Sequence, residues 1–264
     1  MMSTRLRLAL VAGLAAVLWP GSSPTAAQDN DEFSWSGSVA VGKTLQIKNA
    51  HGPLVAEYTE GNSIEVRAVK EGPAADREAV TFEVVEHDDG ITICAIYPGR
   101  LWSSNDCEPD SGHMSSNRNK TKVTFNVRVP AGVRFVGETM NGRIGADNLR
   151  SDVELLTMNG AIEVWTTGWA SASTMNGKVW ARIGSTDWSA ELELESMNGA
   201  IEVVLPVGAS TDVRASTMNG RVQSDWPLEK TGWIRNKASG TIGSGGRTIS
   251  LSTMNGNISL RRAS

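Results

Sequence analysis

A tetrapeptide carrying methionine and asparagine recurs along the C-terminal half of this chain. Thr-Met-Asn-Gly, or its Ser variant, occurs six times, starting at Thr139, Thr157, Thr174, Ser196, Thr217 and Thr253. Its methionines are Met140, Met158, Met175, Met197, Met218 and Met254. A thioether can ligate a soft metal, undergo oxidation or make an adaptable apolar contact, whereas a primary amide both donates and accepts hydrogen bonds. The chain therefore repeats the same two chemistries at regular intervals.

The spacing of the motif predicts a solenoid. Its asparagines are Asn141, Asn159, Asn176, Asn198, Asn219 and Asn255, and the gaps between them are 18, 17, 22, 21 and 36 residues. A period near twenty residues is typical of folds that stack one small unit on the next. The last gap is close to two periods, so we expect a degenerate copy at Lys237–Ile242 with Ser239 in the Asn place. This gives about seven coils between residues 131 and 262.

Strict alternation before each motif predicts a half-buried strand. In the segment 191–198, the inward set is Leu192, Leu194, Ser196 and Asn198, and the outward set is Glu191, Glu193, Glu195 and Met197. The Asn-Gly pair then turns the chain, and we expect its glycine to supply a positive φ. These turn glycines are Gly142, Gly160, Gly177, Gly199, Gly220 and Gly256.

An inward asparagine in every coil has a structural explanation. Stacked strands lie about 4.8 Å apart, so each amide can bond to its counterparts above and below. We therefore predict a buried, satisfied ladder of the six asparagines, with a structural role and no catalytic one.

The same alternation places the six methionines outside, in a stripe roughly 29 Å long. Four interpretations stay open. A flanking segment or a tight corner covers the stripe, or it is an adaptable contact surface. Alternatively, it binds Cu(I) through its thioethers, or it is a strip sensitive to oxidation.

A long polar loop between Tyr97 and Lys120 carries further candidate groups, namely Trp102, Asp106, Cys107, Glu108, Asp110 and His113. Cys94 and Cys107 are the two cysteines of the chain, and in an exported protein we expect them to form a disulfide. The acids and His113 match no metal-binding spacing, so the loop is interpreted as solvated, and neither a metal nor a cofactor is predicted.

The first 27 residues have the pattern of a secretory signal, with Arg5 and Arg7, an apolar segment and a small-residue cleavage site before Gln28. No second apolar run follows, so no transmembrane segment is expected after cleavage. Loss of the two arginines lowers the net charge from −4 to about −6, which argues against nucleic-acid binding. We expect an exported protein, located in the periplasm, at the cell surface or outside the cell.

The whole pattern predicts an all-β chain, a single-chain β-solenoid. Residues 28–130 form an irregular β N-terminal part that contains the Cys-bounded loop, and residues 131–264 form the regular repeat. Within the first part, the sequence His87-Asp88-Asp89-Gly90 predicts a hairpin turn, and Asn49 with Gly52 forms a distant version of the motif.

These features resemble a bacterial family of candidate adhesins, a domain-of-unknown-function family of exported β-solenoids. The matching residues are the segment Asn49 to Leu54, the step Val129-Pro130-Ala131-Gly132 and the six Asn-Gly pairs, and the resemblance covers roughly residues 38–262. The family pattern does not include the methionine before each asparagine or the Cys-bounded loop, so it implies nothing about either.

The predicted function is non-enzymatic. Parallel β-solenoids can act on polysaccharides through acids and bases on one outer face. The outward residues after each turn are Arg143, Ala161, Lys178, Ala200, Arg221 and Asn257, and no pair of acids recurs beside them. We expect an adhesin-like or cell-envelope interaction protein, whose partner is an unidentified protein or glycan. The alternatives are a periplasmic Cu(I)-binding or redox-responsive protein and, less favoured, a polysaccharide-active enzyme.

Overall fold

A computed structural model describes residues 25–28, 31–99, 105–109, 115–116, 118–188, 190–232 and 235–264. Most of the predicted signal, residues 1–24, lies outside the described residues, as do Trp102, Asp110 and His113. The predicted cleavage site before Gln28 falls inside the first strand, Thr25–Gln28, so cleavage there would remove three of its four residues.

The described residues are almost entirely strands. In chain order they are β1 (Thr25–Gln28), β2 (Glu32–Gly37), β3 (Thr44–His51), β4 (Leu54–Tyr58), β5 (Ile64–Glu71), β6 (Thr81–His87), β7 (Gly90–Ile96), β8 (Lys122–Val129), β9 (Arg134–Asn141), β10 (Ile144–Leu149) and β11 (Val153–Asn159). They continue as β12 (Ile162–Thr166), β13 (Ala170–Asn176), β14 (Val179–Ile183), β15 (Leu192–Asn198), β16 (Ile201–Leu205), β17 (Thr211–Asn219), β18 (Val222–Ser224), β19 (Glu229–Thr231), β20 (Lys237–Ile242), β21 (Thr248–Asn255) and β22 (Ile258–Arg262). A single short helix, α1 (Ala74–Glu78), is described, and no described helix is long and apolar enough to cross a membrane.

Two sheets enclose one apolar core. The first sheet has the strand order β1-β2-β5-β8-β4-β10-β12-β14-β16-β22-β18, and the second has β19-β20-β17-β21-β15-β13-β11-β9-β3-β7-β6. The inward residues of successive coils lie in register, as Leu155, Ala172 and Leu194 do in the second sheet, and all three belong to the buried core. The prediction of an all-β solenoid is confirmed.

The repeat supplies coils that stack in parallel register. Each coil is a second-sheet strand, an Asn-Gly turn that we call the motif corner, and a first-sheet strand. Thr139 pairs with Thr157, Thr157 with Thr174 and Thr174 with Ser196, so equivalent motif residues lie directly above one another. The same side chain is therefore presented at the same place on successive coils.

The coils do not stack in the order of the chain. The last coil, β21 and β22, lies between the coil of β15 and β16 and the coil of β17 and β18. Thus Asn255 pairs with both Asn198 and Asn219.

The prediction of a seventh coil at Lys237–Ile242 is wrong. This segment is β20, which pairs antiparallel with β17 at the edge of the second sheet, and β19 pairs antiparallel with β20. Arg235 and Lys237, which an inward phase would have buried, are exposed, whereas Ala238 is buried. An antiparallel strand in this place keeps both charges in water, where they have no desolvation cost.

The N-terminal part continues the same stack. Strands β3 and β4 pair in parallel with β9 and β10, and the predicted hairpin joins β6 to β7. The prediction that Asn49 is the counterpart of the motif asparagine is wrong. His51 pairs with Asn141, whereas Asn49, two residues earlier in the chain, pairs with Thr139. Asn49 is buried and donates to the carbonyl oxygen of Val123 at 2.9 Å, so it takes the inward place of the motif threonine.

The predicted disulfide between Cys94 and Cys107 is confirmed. Cys94 lies on the outer side of β7, paired with Lys48 of β3. The bond therefore holds the segment around Cys107 against the outer face of the second sheet.

Candidate functional site

The six motif-corner glycines are required by close stacking. A Cβ atom on any of them would lie 1.9–2.1 Å from the carbonyl oxygen of the glycine one coil away. The expectation of a positive φ is wrong, because none of the six has φ in the left-handed range. Gly52 of the N-terminal coil does have a φ of 115°, and its oxygen faces Gly142. Glycine is thus needed because backbone passes where a side chain would be.

The motif threonines and serine connect each corner to the next. Their hydroxyl groups donate to the glycine carbonyl of the neighbouring coil over distances of 2.8–3.4 Å. For example, Thr174 donates to Gly160 at 3.0 Å and Ser196 to Gly177 at 2.9 Å. These inward hydroxyl groups are buried but satisfied, so they carry no desolvation penalty.

The asparagine side chains bond in series. Each Nδ2 donates to the Oδ1 of the neighbouring asparagine at 2.8–2.9 Å, and the spatial order is Asn219, Asn255, Asn198, Asn176, Asn159 and Asn141. All five bonds point the same way, from Asn219 towards Asn141. The expected inward burial is wrong, because five of these side chains are exposed and Asn141 is half-buried. The strand alternation ends where the chain turns, so the amides run along the stack at the corner surface.

Removing one amide from the middle of this series should destabilise the protein moderately. Asn176→Ala deletes two amide bonds, and we expect the free energy of unfolding to fall by about 1–2 kcal/mol, measured by urea denaturation. Asn219→Ala deletes one such bond at the end of the series and should cost about half as much. Equal losses at both positions would show that the series contributes nothing beyond local corner geometry.

The methionines form a row on the outer face of the second sheet, beside the asparagines. In space the row runs Met140, Met158, Met175, Met197, Met254 and Met218. The last four are 40–62% exposed, whereas Met140 and Met158 are half-buried. Five steps of about 4.8 Å give a row of roughly 24 Å, which is shorter than expected because the segment Lys237–Ile242 adds no coil between the methionines. We call these six residues the methionine row.

A groove of 180 Å³ lies along the half-buried end of the methionine row. Its lining includes Met140, Met158 and Met175 together with Leu156 and Glu138. Leu156 is an outward residue of β11 and pairs with Glu138 of β9. The second sheet therefore presents a small apolar surface that the core does not require.

The Cys-bounded loop closes this face at its N-terminal end. In the coil of β3, Ala50 takes the place of the methionine and is fully buried. Lys48 is fully buried too, and its Nζ donates to the carbonyl oxygen of Glu108 at 3.1 Å. The row therefore begins where the covered part of the sheet ends.

A second feature, a cleft, lies at the end of the stack of motif corners where Asn141 is found. An open cleft of 650 Å³ is lined by residues of β3, of the first motif corners and of the positions 116 and 118–122. His51 is half-buried there, and its Nε2 lies 2.8 Å from the hydroxyl oxygen of Ser116. Burial lowers the pKa of His51, because desolvation disfavours the charged imidazolium. Sequence reasoning missed this cleft, since its groups come from distant segments that no local motif joins.

The outward residues that follow the turns lie side by side on neighbouring coils. In space they run Arg143, Ala161, Lys178, Ala200, Asn257 and Arg221. Their side of the corner alternates cations with small or neutral groups. Among the described residues, no group of three or more His, Cys, Asp and Glu side chains is arranged to hold a metal ion.

The sequence model of the Toastrack DUF4097 family matches residues 111–261, which is more than half of the chain. The chain belongs to the Toastrack DUF4097 family. This confirms the resemblance to a family of candidate adhesins whose function is unknown. The matched span contains the six coils of the Toastrack repeat up to Arg261, and it begins four residues after Cys107.

No curated protein matches this Toastrack chain in sequence. Among solved structures, a candidate cell adhesion protein from Clostridium sporogenes is 12% identical, with a TM-score of 0.45, over 91% of this chain and 100% of its own. A candidate adhesin from Bacteroides fragilis is 9% identical, with a TM-score of 0.29, over 89% and 98%. Another from Parabacteroides distasonis is 13% identical, with a TM-score of 0.23, over 89% and 98%. At these identities and TM-scores none of them informs the function of this chain.

Proposed function

We propose that this protein is a non-enzymatic, exported β-solenoid that acts through its surface as an adhesin-like or cell-envelope interaction protein. The observation that carries the proposal is the methionine row. Four aligned thioether side chains, Met175, Met197, Met254 and Met218, stay 40–62% exposed although the fold needs none of them. Aligned exposed apolar side chains are typical of contact surfaces.

The chemistry of the row favours a protein partner over a glycan. Methionine is unbranched and polarisable, so it repacks readily against apolar side chains of varied shape. The adjoining groove combines Leu156 and three of the methionines with polar residues such as Glu138 and Ser173, and a mixture of apolar and polar side chains is typical of protein contact surfaces. The row is also continuous, because consecutive methionines belong to strands paired in register.

The arrangement of polar groups argues against an enzyme. The His51–Ser116 contact brings a base and a hydroxyl together. A nucleophilic pair of this kind needs a third group that orients the base. None of the described residues that line the cleft is a carboxylate, so none of them supplies this third group in acidic form.

Charge placed in the methionine row should abolish binding, whereas a change of apolar shape should not. We expect the labelled protein to bind isolated envelopes of the organism that makes it. The triple variant M175L/M197L/M254L should bind within about twofold of the original, because leucine conserves the apolar surface. The variant M175K/M197K/M254K should bind at least about tenfold more weakly, because its ammonium groups would have to be desolvated.

A matched control separates the row from charge alone. A200K/Q223K/N257K adds the same charge at exposed positions on the other side of the corner or on the first sheet, and should bind normally. Normal binding by M175K/M197K/M254K would contradict a contact role for the row. Loss of binding in the leucine variant together with tight Cu(I) sites in the original protein would instead favour the soft-metal alternative.

A further inference from the structure

The cleft at the Asn141 end of the stacked motif corners is rich in positive charge, and we call it the basic cleft. Its lining includes Arg118, Lys120, Lys122 and Arg143, and no carboxylate is among the described residues that line it. All four of these side chains belong to exposed residues. The protein as a whole has a net charge of −4, so this concentration of cations is local.

Two of the four cations have distant acidic neighbours. Lys122 Nζ lies 3.9 Å from Glu71, and Arg143 Nη1 lies 4.0 Å from Glu163. Pairs this long and this exposed contribute little and are readily replaced by a ligand. Among the ion pairs of the described residues, Arg118 and Lys120 take part in none.

Asp76 contacts Lys120 through the backbone of the lysine and not through its side chain. A carboxylate oxygen of Asp76 accepts a hydrogen bond from the backbone N–H of Lys120 at 3.0 Å, and Asp76 does not line the cleft. The positive side chain of Lys120 is therefore not used by this contact.

The asparagine series ends at Asn141, which lines the same cleft and whose amide NH₂ group is the last donor of the series. Every amide in the series donates towards Asn141, and in such chains each hydrogen bond polarises the next. The aligned dipoles therefore direct their positive end to Asn141. Among the hydrogen bonds of the described residues, Asn141 Nδ2 makes none, and Asn141 lines the cleft.

The series stops here because the next coil has a different residue. His51 occupies the position that a further asparagine would take, and its Nε2 is turned to Ser116. The NH₂ group of Asn141, a residue that lines the cleft, thus has no asparagine acceptor in the coil below.

We propose that the basic cleft binds an anionic saccharide, a sugar that bears a phosphate or a carboxylate group. Converging cations and an amide donor suit an anion, since charge-assisted hydrogen bonds are the strong ones. A cavity of 650 Å³ is within the usual range for small-molecule sites and has room for a sugar ring beyond the anionic group. The open groove and its Ser116 hydroxyl offer further polar contacts to such a ring.

The test follows the imidazole resonances of the full protein by NMR while anionic sugars are added. His51 lines the basic cleft, whereas His87 lies elsewhere, against Thr92 at 3.2 Å, and serves as the internal control. Glucose 6-phosphate, glucuronate and galacturonate are the probes, and glucose is the neutral comparison. We expect at least one anionic sugar to shift His51 and not His87, with a Kd of about 1 mM or below, and glucose to shift neither.

Paired variants make the result specific to the cleft. K120Q/R143Q should weaken binding by at least about tenfold, and raised salt should weaken the original in the same direction. R221Q/K230Q removes the same charge at the far end, with Arg221 in the place equivalent to Arg143, and should bind normally. All four positions are exposed, so these variants are expected to fold.

Several outcomes would overturn the proposal. One is the absence of a His51 shift with all three anionic sugars at about 20 mM. Equal weakening in both double variants, or an equal response to glucose, would do the same. Inorganic phosphate binding as tightly as glucose 6-phosphate would indicate a free-anion site. Binding to phosphatidylglycerol vesicles that K120Q/R143Q abolishes, without sugar binding, would indicate a membrane instead.

This site is independent of the methionine row. The variant M175K/M197K/M254K should keep the sugar response, and K120Q/R143Q should keep any partner contact made by the methionines. Failure of one proposal therefore leaves the other standing.

Discussion

Replacing Gly177 by alanine is expected to prevent the stable folding of this protein. The new Cβ would lie 1.9 Å from the carbonyl oxygen and 2.5 Å from the carbonyl carbon of Gly160. Neighbouring strands are fixed at about 4.8 Å by their hydrogen bonds, so the clash cannot be relieved by one side chain moving. Separating these two coils would also weaken the bond between them from Gly160 N to Asn176 O, now 3.0 Å. We expect a loss of at least about 4 kcal/mol in the free energy of unfolding, or insoluble protein.

Gly145 and Gly208 provide matched controls. A Cβ on Gly145 would meet no atom closer than Val55 Cγ1 at 4.0 Å, and one on Gly208 would meet nothing within 4 Å. Neither has φ in the left-handed range, so alanine should change stability by less than about 1 kcal/mol at either position. Urea denaturation of the three variants gives the comparison. A Gly177→Ala protein as stable as Gly145→Ala would contradict the close stacking of the corners.

Removing the disulfide is expected to have the second largest effect. The bond joins residues 13 positions apart, and closing a loop of this size stabilises a protein by about 3 kcal/mol through the unfolded chain. The variant C94A/C107A should therefore lose about 3 kcal/mol in urea denaturation. Cys94 and Cys107 are both buried, and the loop covers the fully buried Lys48, so amide exchange at residues 46–48 should also rise.

Reduction provides the control for this prediction. Dithiothreitol should lower the stability of the original protein by a similar amount and should not affect C94A/C107A, which has no disulfide left to reduce. A loss below about 1 kcal/mol in both experiments would mean that packing alone holds the loop. Because Gly177 lies several coils away, its effect should add to that of the disulfide change.

The parts of the fold that local periodicity controls were predictable. Alternation in segments such as Glu191–Glu195 gave the strands and their inward sides, because a strand exposes successive side chains to opposite faces. The repeat gave the stacking, since identical units bury their apolar edges against one another. The pairing of Cys94 with Cys107 followed because an oxidising compartment was expected and no other cysteine exists.

The corner itself was predicted less well. Extending the alternation to Asn198 placed it inside, yet the residue is exposed, because period two applies only while the backbone stays extended. The glycine at position 199 was assigned to turn geometry, whereas its reason is the carbonyl of Gly177 at 1.9 Å from its would-be Cβ. A local pattern contains no information about an atom that another coil brings close.

The sequence by itself determined the content of a coil: an inward hydroxyl, a turn glycine, a row of amides and an outward methionine at each repeat. Only the tertiary structure decided how the coils are ordered and what lies at their ends. Every coil offers nearly the same edge to its neighbours, so several orders satisfy the same hydrogen bonds. The antiparallel pairing of β20 with β17 occupies one edge of β17 and leaves the other edge to β21. The basic cleft has the same origin, because it exists only where His51, Arg118 and Arg143 are brought together across the stack.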